Sequence, residues 1–160
     1  LGIGAEFNNK KKNLQLYISP VTMKNTLVLE QRLANQGAFG VDKAIYDPVT
    51  GELIREGKNS RTELGFLFTS NYKTQIFSNI NLENKLNLYS DYINNFGNID
   101  VDWQLQLDFI VNKYVRANIN THLIYDDDIK AKEEVDGVQV TLGPKIQLKQ
   151  MLGVGLIYSF

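Results

Sequence analysis

Acidic side chains recur on one parity of a segment whose other parity is apolar. Asp100, Asp102 and Asp108 all lie at even positions, and because successive side chains of a strand point to opposite faces, the three are predicted to share one face. Lys85 on the preceding segment and Arg116 on the following one are predicted to point the same way. Such a set can form a charged constriction that selects ions, or cross-strand charge pairs that fill a narrow lumen. We favour pairing, because lysines are also plentiful on this face.

His122 is the only histidine of the chain. A lone histidine can act as a base or as a pH switch. No serine or aspartate beside it in the sequence forms a recognisable catalytic triad. We therefore interpret His122 as one member of a polar lining, and we predict that the protein is not an enzyme and has no catalytic residue.

A second acidic group, Asp126–Asp128 with Glu133, Glu134 and Asp136, follows His122 in the sequence. Hard cations such as Ca²⁺ prefer carboxylate oxygens, but the positions of glycine and glutamate do not match an EF-hand loop. We therefore predict that Asp126 to Gly143 is a solvated acidic loop, and we expect no metal site and no cofactor.

The composition excludes several classes of site. The 160 residues include no cysteine, which excludes disulfides, thiolate metal sites and a cysteine nucleophile. The formal net charge is −1, which gives no reason to expect a nucleic-acid partner. No run approaches the roughly 20 apolar residues of a membrane-spanning helix, so any membrane-spanning structure must consist of strands.

Seven segments alternate apolar and polar residues, and a period of two predicts strands rather than helices. The clearest one, Ile99–Val111, keeps one parity apolar and the other polar, apart from Ile110. Splitting the last segment at Lys149-Gln150 would give eight strands, but Ile146–Phe160 keeps one parity throughout, so we prefer seven. The predicted strands are Leu1–Phe7, Leu14–Ile18 with an extension through Leu29, Leu64–Ile76, Ile80–Tyr92, Ile99–Val111, Val115–Tyr125 and Pro144–Phe160.

Strands with one apolar and one polar face, and with aromatic residues near their ends, are the pattern of a transmembrane β-barrel. At about 3.3 Å per residue and a tilt of about 40°, a strand as long as Ile99–Val111 crosses an apolar band of about 25 Å. The sequence therefore predicts an all-β fold. We expect an antiparallel, up-and-down transmembrane β-barrel that occupies residues 1–160 as a single domain.

The last strand carries an apolar and aromatic stripe that ends in Leu156, Tyr158 and Phe160. It resembles the C-terminal strand of bacterial outer-membrane proteins, whose final aromatic residue is read by the barrel-insertion machinery. The resemblance implies that these three residues form a membrane-insertion signal. It also implies that the protein lies in the bacterial outer membrane, in contact with the lipid bilayer and with lipopolysaccharide.

The lengths of the connections predict the topology. Short connections follow the first, third and fifth strands and are expected in the periplasm, whereas the longer ones are expected outside the cell. The longest, residues 25–59, is predicted to be an extracellular loop or a plug, with a folded segment at residues 31–40 and a turn at Asp47–Gly51.

Single-chain bacterial barrels have even strand numbers, so we expect this chain to be the C-terminal part of a barrel of about 12 strands. A signal peptide and an odd number of N-terminal strands would then precede it.

Several motifs in order along the chain are similar to a family of outer-membrane β-barrel proteins of the Bacteroidota, known only as a domain of unknown function. They are Leu33–Val41, Asn98–Trp103, Thr121–Asp128, Gly143-Pro144-Lys145 and Leu152–Gly155. The resemblance implies the barrel fold, the outer-membrane location and a longer chain with further strands before Leu1. It implies no catalytic residue and no ligand.

These observations predict a passive pore or small-molecule transporter of the outer membrane. The alternative is a non-conducting scaffold or accessory subunit of a larger outer-membrane complex, whose partners would be other outer-membrane proteins that dock on residues 25–59. An enzyme supported by a barrel is a weaker hypothesis, because no nucleophile and base are found together. A lipocalin-like ligand barrel would reverse the two faces, which the parity alone does not exclude.

Overall fold

Seven long strands with alternating side chains pair into one antiparallel sheet. The computed structural model describes residues 1–94, 96–126, 130–135 and 138–158. The chain is all-β, and the seven strands of the main sheet confirm the predicted number. The strands are β1 (Gly2–Asn9), β2 (Leu14–Leu27), β3 (Ile45–Tyr46), β4 (Leu53–Arg55), β5 (Ser60–Phe77), β6 (Ile80–Asp91), β7 (Asp100–Ile110), β8 (Val115–Tyr125), β9 (Lys130–Val135), β10 (Val138–Pro144) and β11 (Gln147–Leu156).

The order of strands in the sheet, β1-β2-β5-β6-β7-β8-β11, follows their order in the chain. Every neighbouring pair is antiparallel, so the chain runs up and down across the sheet. Two small hairpins, β3–β4 and β9–β10, interrupt the connections β2–β5 and β8–β11. The sheet is open, since among the described residues β1 pairs with β2 alone and β11 with β8 alone.

The register of the sheet keeps apolar residues opposite apolar residues. Residues directly opposite each other in an antiparallel pair lie on the same face. Leu107 of β7 lies opposite Leu82 of β6 and Ile119 of β8, whereas Gln106 lies opposite polar residues on both sides. The alternation of each strand is thus in phase with that of its neighbours. The sheet has one face of apolar side chains, the apolar face, and one of polar side chains, the polar face.

A bulge in β2 keeps this segregation where the strand changes parity. The register of the β2–β5 pair shifts just after Ser19, where the next residue is a proline that has no N–H to donate. Before the bulge Ile18 lies opposite Phe68, and after it Met23 lies opposite Leu64. Phe68 and Leu64 both lie on the apolar face. The residues of β2 on that face are therefore even-numbered before the bulge and odd-numbered after it. This shift lets β2 run on to Leu27, as the predicted extension requires, although it ends before Leu29.

The connection between β2 and β5 folds around a small core of its own. Val28, Ala34 and Val41 are buried together. The short helix α1 (Gln31–Asn35) and a 3₁₀ turn at Ala38–Gly40 confirm the predicted folded segment. Asn25, predicted to begin the loop, instead belongs to β2.

The β3–β4 hairpin of this connection closes around the predicted turn at Asp47–Gly51. The Asp47 carboxylate accepts hydrogen bonds from the backbone N–H groups of Val49 and Thr50, at 2.7 and 2.9 Å. These bonds favour the ionised carboxylate and hold the pKa of Asp47 below its usual value.

No helix in the described part of the chain is long and apolar enough to cross a membrane.

Two predictions for the C-terminal third need correction. The predicted loop Asp126 to Gly143 contains two antiparallel strands, β9 and β10. Val138, Val140 and Leu142 alternate with other residues in the second half of this segment, and this period of two favours a strand over a loop. Pro144, predicted to open the last strand, ends β10 instead. β11 is a single strand, since Lys149 and Gln150 both pair with β8 in one unbroken register. The predicted terminal residue Phe160 lies outside the described residues.

Candidate functional site on the polar face

The six residues predicted to line a lumen all lie on the polar face. Lys85, Gln104, His122 and Lys149 form one row across β6, β7, β8 and β11. Asp102, two residues before Gln104 on β7, therefore shares this face. The remaining members follow from the same register: Asp100 lies opposite Tyr89, Asp108 opposite Asn81 and Asn118, and Arg116 opposite Ile110.

Charge pairing occurs on this face, but with other partners than the sequence predicts. Asp102 Oδ1 lies 2.9 Å from His122 Nε2 on the neighbouring strand. Lys85 pairs with Glu83 at 3.1 Å, and Lys73 of β5 reaches the same carboxylate at 3.0 Å. Lys85 meets Glu83 rather than an aspartate because Glu83 lies two residues away on the same strand and face. The pairing partners are therefore set by the nearest neighbour on the polar face, which sequence alone does not identify.

Asp108, the last of the three aspartates of β7, is hydrogen-bonded by the side-chain amide of Gln106. The amide nitrogen of Gln106 lies 2.9 Å from both carboxylate oxygens of Asp108, two residues along β7 on the same face. The amide carries no charge, so this contact is a hydrogen bond and not an ion pair. Asn118 lies opposite Asp108 on β8 and adds a second amide to the row. The polar face is therefore rich in amides between its charges.

A cavity of about 180 Å³ lies beside the Asp102–His122 pair. Its lining includes amides and charges of both signs, from Glu83, Lys85, Gln104, Gln106, Asn120, His122 and Lys149, together with Leu105, Thr121 and Met151. The imidazole has a carboxylate partner, as in a hydrolytic triad, but its neighbours in the row, Gln104 and Lys149, are not oxygen or sulfur nucleophiles. This arrangement favours a hydrated polar surface.

A buried ionic cluster, which we call the Arg61 cluster, joins the ends of β2, β5 and β6. It consists of Arg61, Glu63, Asp91 and Lys24. Glu63 and Asp91 are only 3% and 6% exposed. Arg61 Nη2 lies 3.4 Å from Glu63 and 3.9 Å from Asp91, and Lys24 Nζ lies 3.3 Å from the other Glu63 oxygen. Buried carboxylates are costly unless they are paired, so these cations stabilise the cluster.

The Arg61 cluster also anchors the folded connection between β2 and β5. Arg61 Nη1 donates a hydrogen bond of 2.9 Å to the carbonyl oxygen of Gly40 in the 3₁₀ turn. Asn59 and Val28 exchange further bonds, through the Val28 N–H at 2.7 Å and the Asn59 side-chain amide at 3.0 Å. These contacts fix the connection to the strand ends.

A second cavity, of about 490 Å³, lies on the polar face next to the Arg61 cluster. We call it the Tyr89 cavity, after the ring that lines it. Tyr89 packs over Gly65 of the neighbouring strand, where an added Cβ would fall 2.8 Å from the ring carbon Cζ. The rest of its lining includes Lys24, Leu67, Asp100, Asp102, Ile124 and Asp126. Sequence reasoning missed this cavity, although apolar residues at lumen-parity positions could have indicated it.

The apolar face is open to solvent in the described structure. On β11, Leu152, Val154 and Leu156 are 74%, 71% and 84% exposed. Tyr158, the second described member of the predicted insertion signal, is also exposed. Asn84 is a polar exception on this face, and its side-chain oxygen accepts a 2.7 Å hydrogen bond from the Trp103 indole N–H.

No group of three or more metal-ligating side chains occurs among the described residues. Comparison with protein-family models, curated proteins and solved structures finds no match to this chain.

Replacing Arg61 by Met tests the Arg61 cluster. We expect the free energy of unfolding to fall by about 1–3 kcal/mol, because two buried carboxylates lose a charged partner. The matched control is Lys58→Met, which removes the partner of Asp42 from an ion pair whose side chains are 63% and 56% exposed. An exposed pair is worth less than about 1 kcal/mol. Urea unfolding curves compare the two variants, and equal losses would contradict the structural role of the cluster.

Proposed function

We propose that the chain is part of an integral outer-membrane β-barrel that acts as a passive pore or small-molecule transporter. One observation carries the proposal. The in-phase register gives the sheet a continuous apolar face and a continuous polar face, and the apolar face is exposed. A transmembrane barrel needs this separation, because lipid contacts one face of every strand and water contacts the other.

The exposed apolar face fits a lipid environment better than water. Burying one leucine side chain contributes about 1.5–3 kcal/mol, so a face of several leucines exposed to water would be strongly unfavourable. Soluble monomers rarely expose an apolar patch that extends over several strands. The strands β7, β8 and β11 have 11, 11 and 10 residues, which agrees with the roughly 9–11 residues of a tilted membrane-spanning strand. The strands β6, β2 and β5, with 12, 14 and 18 residues, exceed that length.

The direction of the edge strands supports closure by further strands. With seven antiparallel strands, β1 and β11 run in the same direction. Antiparallel closure between these two edges therefore requires an odd number of additional strands. A barrel of about 12 strands would meet this condition with five more, and would leave no exposed sheet edge. This arrangement also fits the proposed kinship with the Bacteroidota outer-membrane family.

The polar face suits a water-filled path. Its amides hydrogen-bond water, and the paired charges Lys85–Glu83 and Asp102–His122 avoid a strong field of one sign. The cavities found on this face fit a sheet that curves toward it. We place the folded connection 28–59 at the extracellular mouth, and we expect the terminal strand to engage the barrel-insertion machinery.

The alternative function is a non-conducting scaffold or accessory subunit of an outer-membrane complex. The observation that favours it is the folded connection 28–59, which has its own core and is fixed to the strand ends by Arg61. A rigid extracellular segment would offer other outer-membrane proteins a defined docking surface.

Replacing Leu107 by Lys tests which face contacts lipid. Leu107 lies on the apolar face, opposite Leu82 and Ile119. We expect the variant to lose about 2–4 kcal/mol of folding free energy in lipid vesicles, because a charge near the bilayer midplane is costly. The matched control, Gln106→Lys, places the same charge one residue away on the polar face. Equal tolerance of both substitutions would mean that the two faces are assigned wrongly.

Single-channel recording of the full-length protein in planar bilayers separates the two candidate functions. A pore predicts stable, reproducible conductance steps, with an ion selectivity that depends on Asp100, Asp102 and Asp108. A folded, heat-modifiable barrel that conducts no current would contradict the pore. That result would favour the scaffold, and its partners could then be sought by crosslinking through the connection 28–59.

A further inference from the structure

The three short connections of the main sheet carry charge of one sign. They lie at one end of the sheet, because its antiparallel strands follow the chain order, and they are residues 10–13, 78–79 and 111–114. Their charged residues are all lysines, namely Lys10, Lys11, Lys12 and Lys113. By contrast, the connection 28–59 at the opposite end carries five acidic and four basic residues. We call the three short connections the lysine end, and the first of them the tri-lysine turn.

The tri-lysine turn does not need its ammonium groups to fold. The backbone N–H of Lys12 donates hydrogen bonds to the carbonyl and to the side-chain oxygen of Asn9, at 3.2 and 3.1 Å. Asn13 has a φ of 47°, a left-handed conformation in which asparagine is enriched, and its carbonyl accepts a 3.0 Å bond from the Lys73 N–H. Backbone and asparagine groups thus fix the turn. Its three exposed lysines remain available to a partner outside the sheet.

The last short connection is built in the same way. The Asn112 side-chain oxygen accepts bonds of 2.8 and 2.9 Å from the N–H groups of Tyr114 and Val115, so the turn closes without Lys113. The Lys113 ammonium lies 4.8 Å from the centroid of the Tyr114 ring. In the described part of the chain, no lysine of the lysine end forms an ion pair, whereas Lys24 does. Like charges without a counter-charge repel each other, so an anionic partner would stabilise this end.

An exposed aromatic ring accompanies each short connection. Phe7, Phe77 and Tyr114 are 56%, 64% and 50% exposed. Phe7 lies opposite Leu16, and Phe77 lies opposite Ile80, at the end of the apolar face. In membrane barrels, aromatic girdles mark the level at which the apolar band meets the lipid headgroups. The lysines follow these rings along the chain, so their ammonium groups reach the headgroup layer.

We propose that the lysine end binds anionic phospholipids of the leaflet that it faces. The ammonium groups contact the headgroup phosphates, and the acyl chains lie against the neighbouring aromatic rings. Basic residues next to a membrane are attracted to anionic lipids in this way. The inference rests on the proposed function, since a membrane-spanning barrel brings these connections to the headgroups. It adds that the leaflet opposite the connection 28–59 is held through its lipid charge.

Quenching of a tryptophan beside the tri-lysine turn measures the lipid preference. Phe7→Trp is made in the full-length protein after its other tryptophans, Trp103 included, are replaced by Phe. The variant is reconstituted in vesicles of phosphatidylcholine and phosphatidylglycerol, with bromine on the acyl chains of one lipid or the other. We expect the association constant for phosphatidylglycerol to be at least about fivefold that for phosphatidylcholine, which corresponds to one lysine near an anionic surface. High salt should reduce this preference.

Matched changes of charge locate the site. Replacing the three lysines of the tri-lysine turn together by Gln should make the two association constants equal. The control removes the same charge from the connection 28–59, by replacing the exposed Arg32, Lys43 and Arg55 with Gln, and should leave the preference unchanged. A preference that survives the loss of the three lysines would overturn the proposal, as would an equal loss in the control.

The second reporter examines the last short connection. Tyr114→Trp, made in the same tryptophan-free background, should show a preference for phosphatidylglycerol that Lys113→Gln removes. The same preference with and without Lys113 would overturn the role of this residue. Heat modifiability on gel electrophoresis, measured for every variant, distinguishes a loss of lipid preference from a loss of folding.

The lipid site and the proposed function fail in different ways. Equal quenching of the Phe7→Trp reporter by the two brominated lipids would overturn the lipid site and leave the barrel, because the tryptophan would still contact acyl chains. No quenching by either lipid would overturn the membrane-spanning barrel, and the lipid site with it. A barrel that conducts no current but prefers phosphatidylglycerol would overturn the pore and support the lipid site.

Discussion

Backbone hydrogen bonding between antiparallel strands is the constraint on which the rest of this structure depends. The pairing fixes which side chains lie opposite each other, and a shift of one residue would exchange the two faces of a strand. Leu82, Leu107 and Ile119 meet on one face because their strands pair in that register, and Glu83, Gln106 and Asn120 meet on the other for the same reason. The bulge in β2 maintains this arrangement where the sequence changes parity. The separation of the two faces is therefore a property of the whole sheet.

The ends of the strands obey a different constraint. Glu63 and Asp91 are buried where the sheet meets the connection 28–59, and their charges need partners from several elements. Arg61 satisfies both carboxylates and bonds the carbonyl of Gly40, so the same side chain stabilises the strand ends and positions the connection. Lys24 links this cluster to the Tyr89 cavity, since its ammonium contacts both Glu63 and the Tyr89 ring. Electrostatic pairing thus couples the folded connection to the Tyr89 cavity.

Periodicity predicts the long strands well because each alternates over many residues. The bounds of β7 and β8 differ by at most one residue from those of the predicted strands, Ile99–Val111 and Val115–Tyr125. The β9–β10 hairpin was missed, because its acidic composition suggests a loop more strongly than its short alternation suggests strands. Parity also placed Asp102 and His122 on one face, but it could not predict that they would pair, since contact depends on register. The Arg61 cluster joins elements far apart in sequence, so no local pattern reveals it, whereas the apolar residues Leu67 and Ile124 at polar-face positions are a local sign of the Tyr89 cavity.

Fluorescence of Trp103 gives the most direct test of the central claim, that the apolar face contacts lipid. Trp103 is the only tryptophan of this sequence, it lies on the apolar face opposite Leu86 and Leu123, and its indole N–H is bonded to Asn84. The protein would be reconstituted in vesicles whose acyl chains carry bromine, with Trp103→Phe as the background. If the apolar face contacts lipid, the brominated chains will quench Trp103 strongly and aqueous acrylamide will quench it weakly. Strong quenching by acrylamide, with no effect of the brominated lipids, would contradict it.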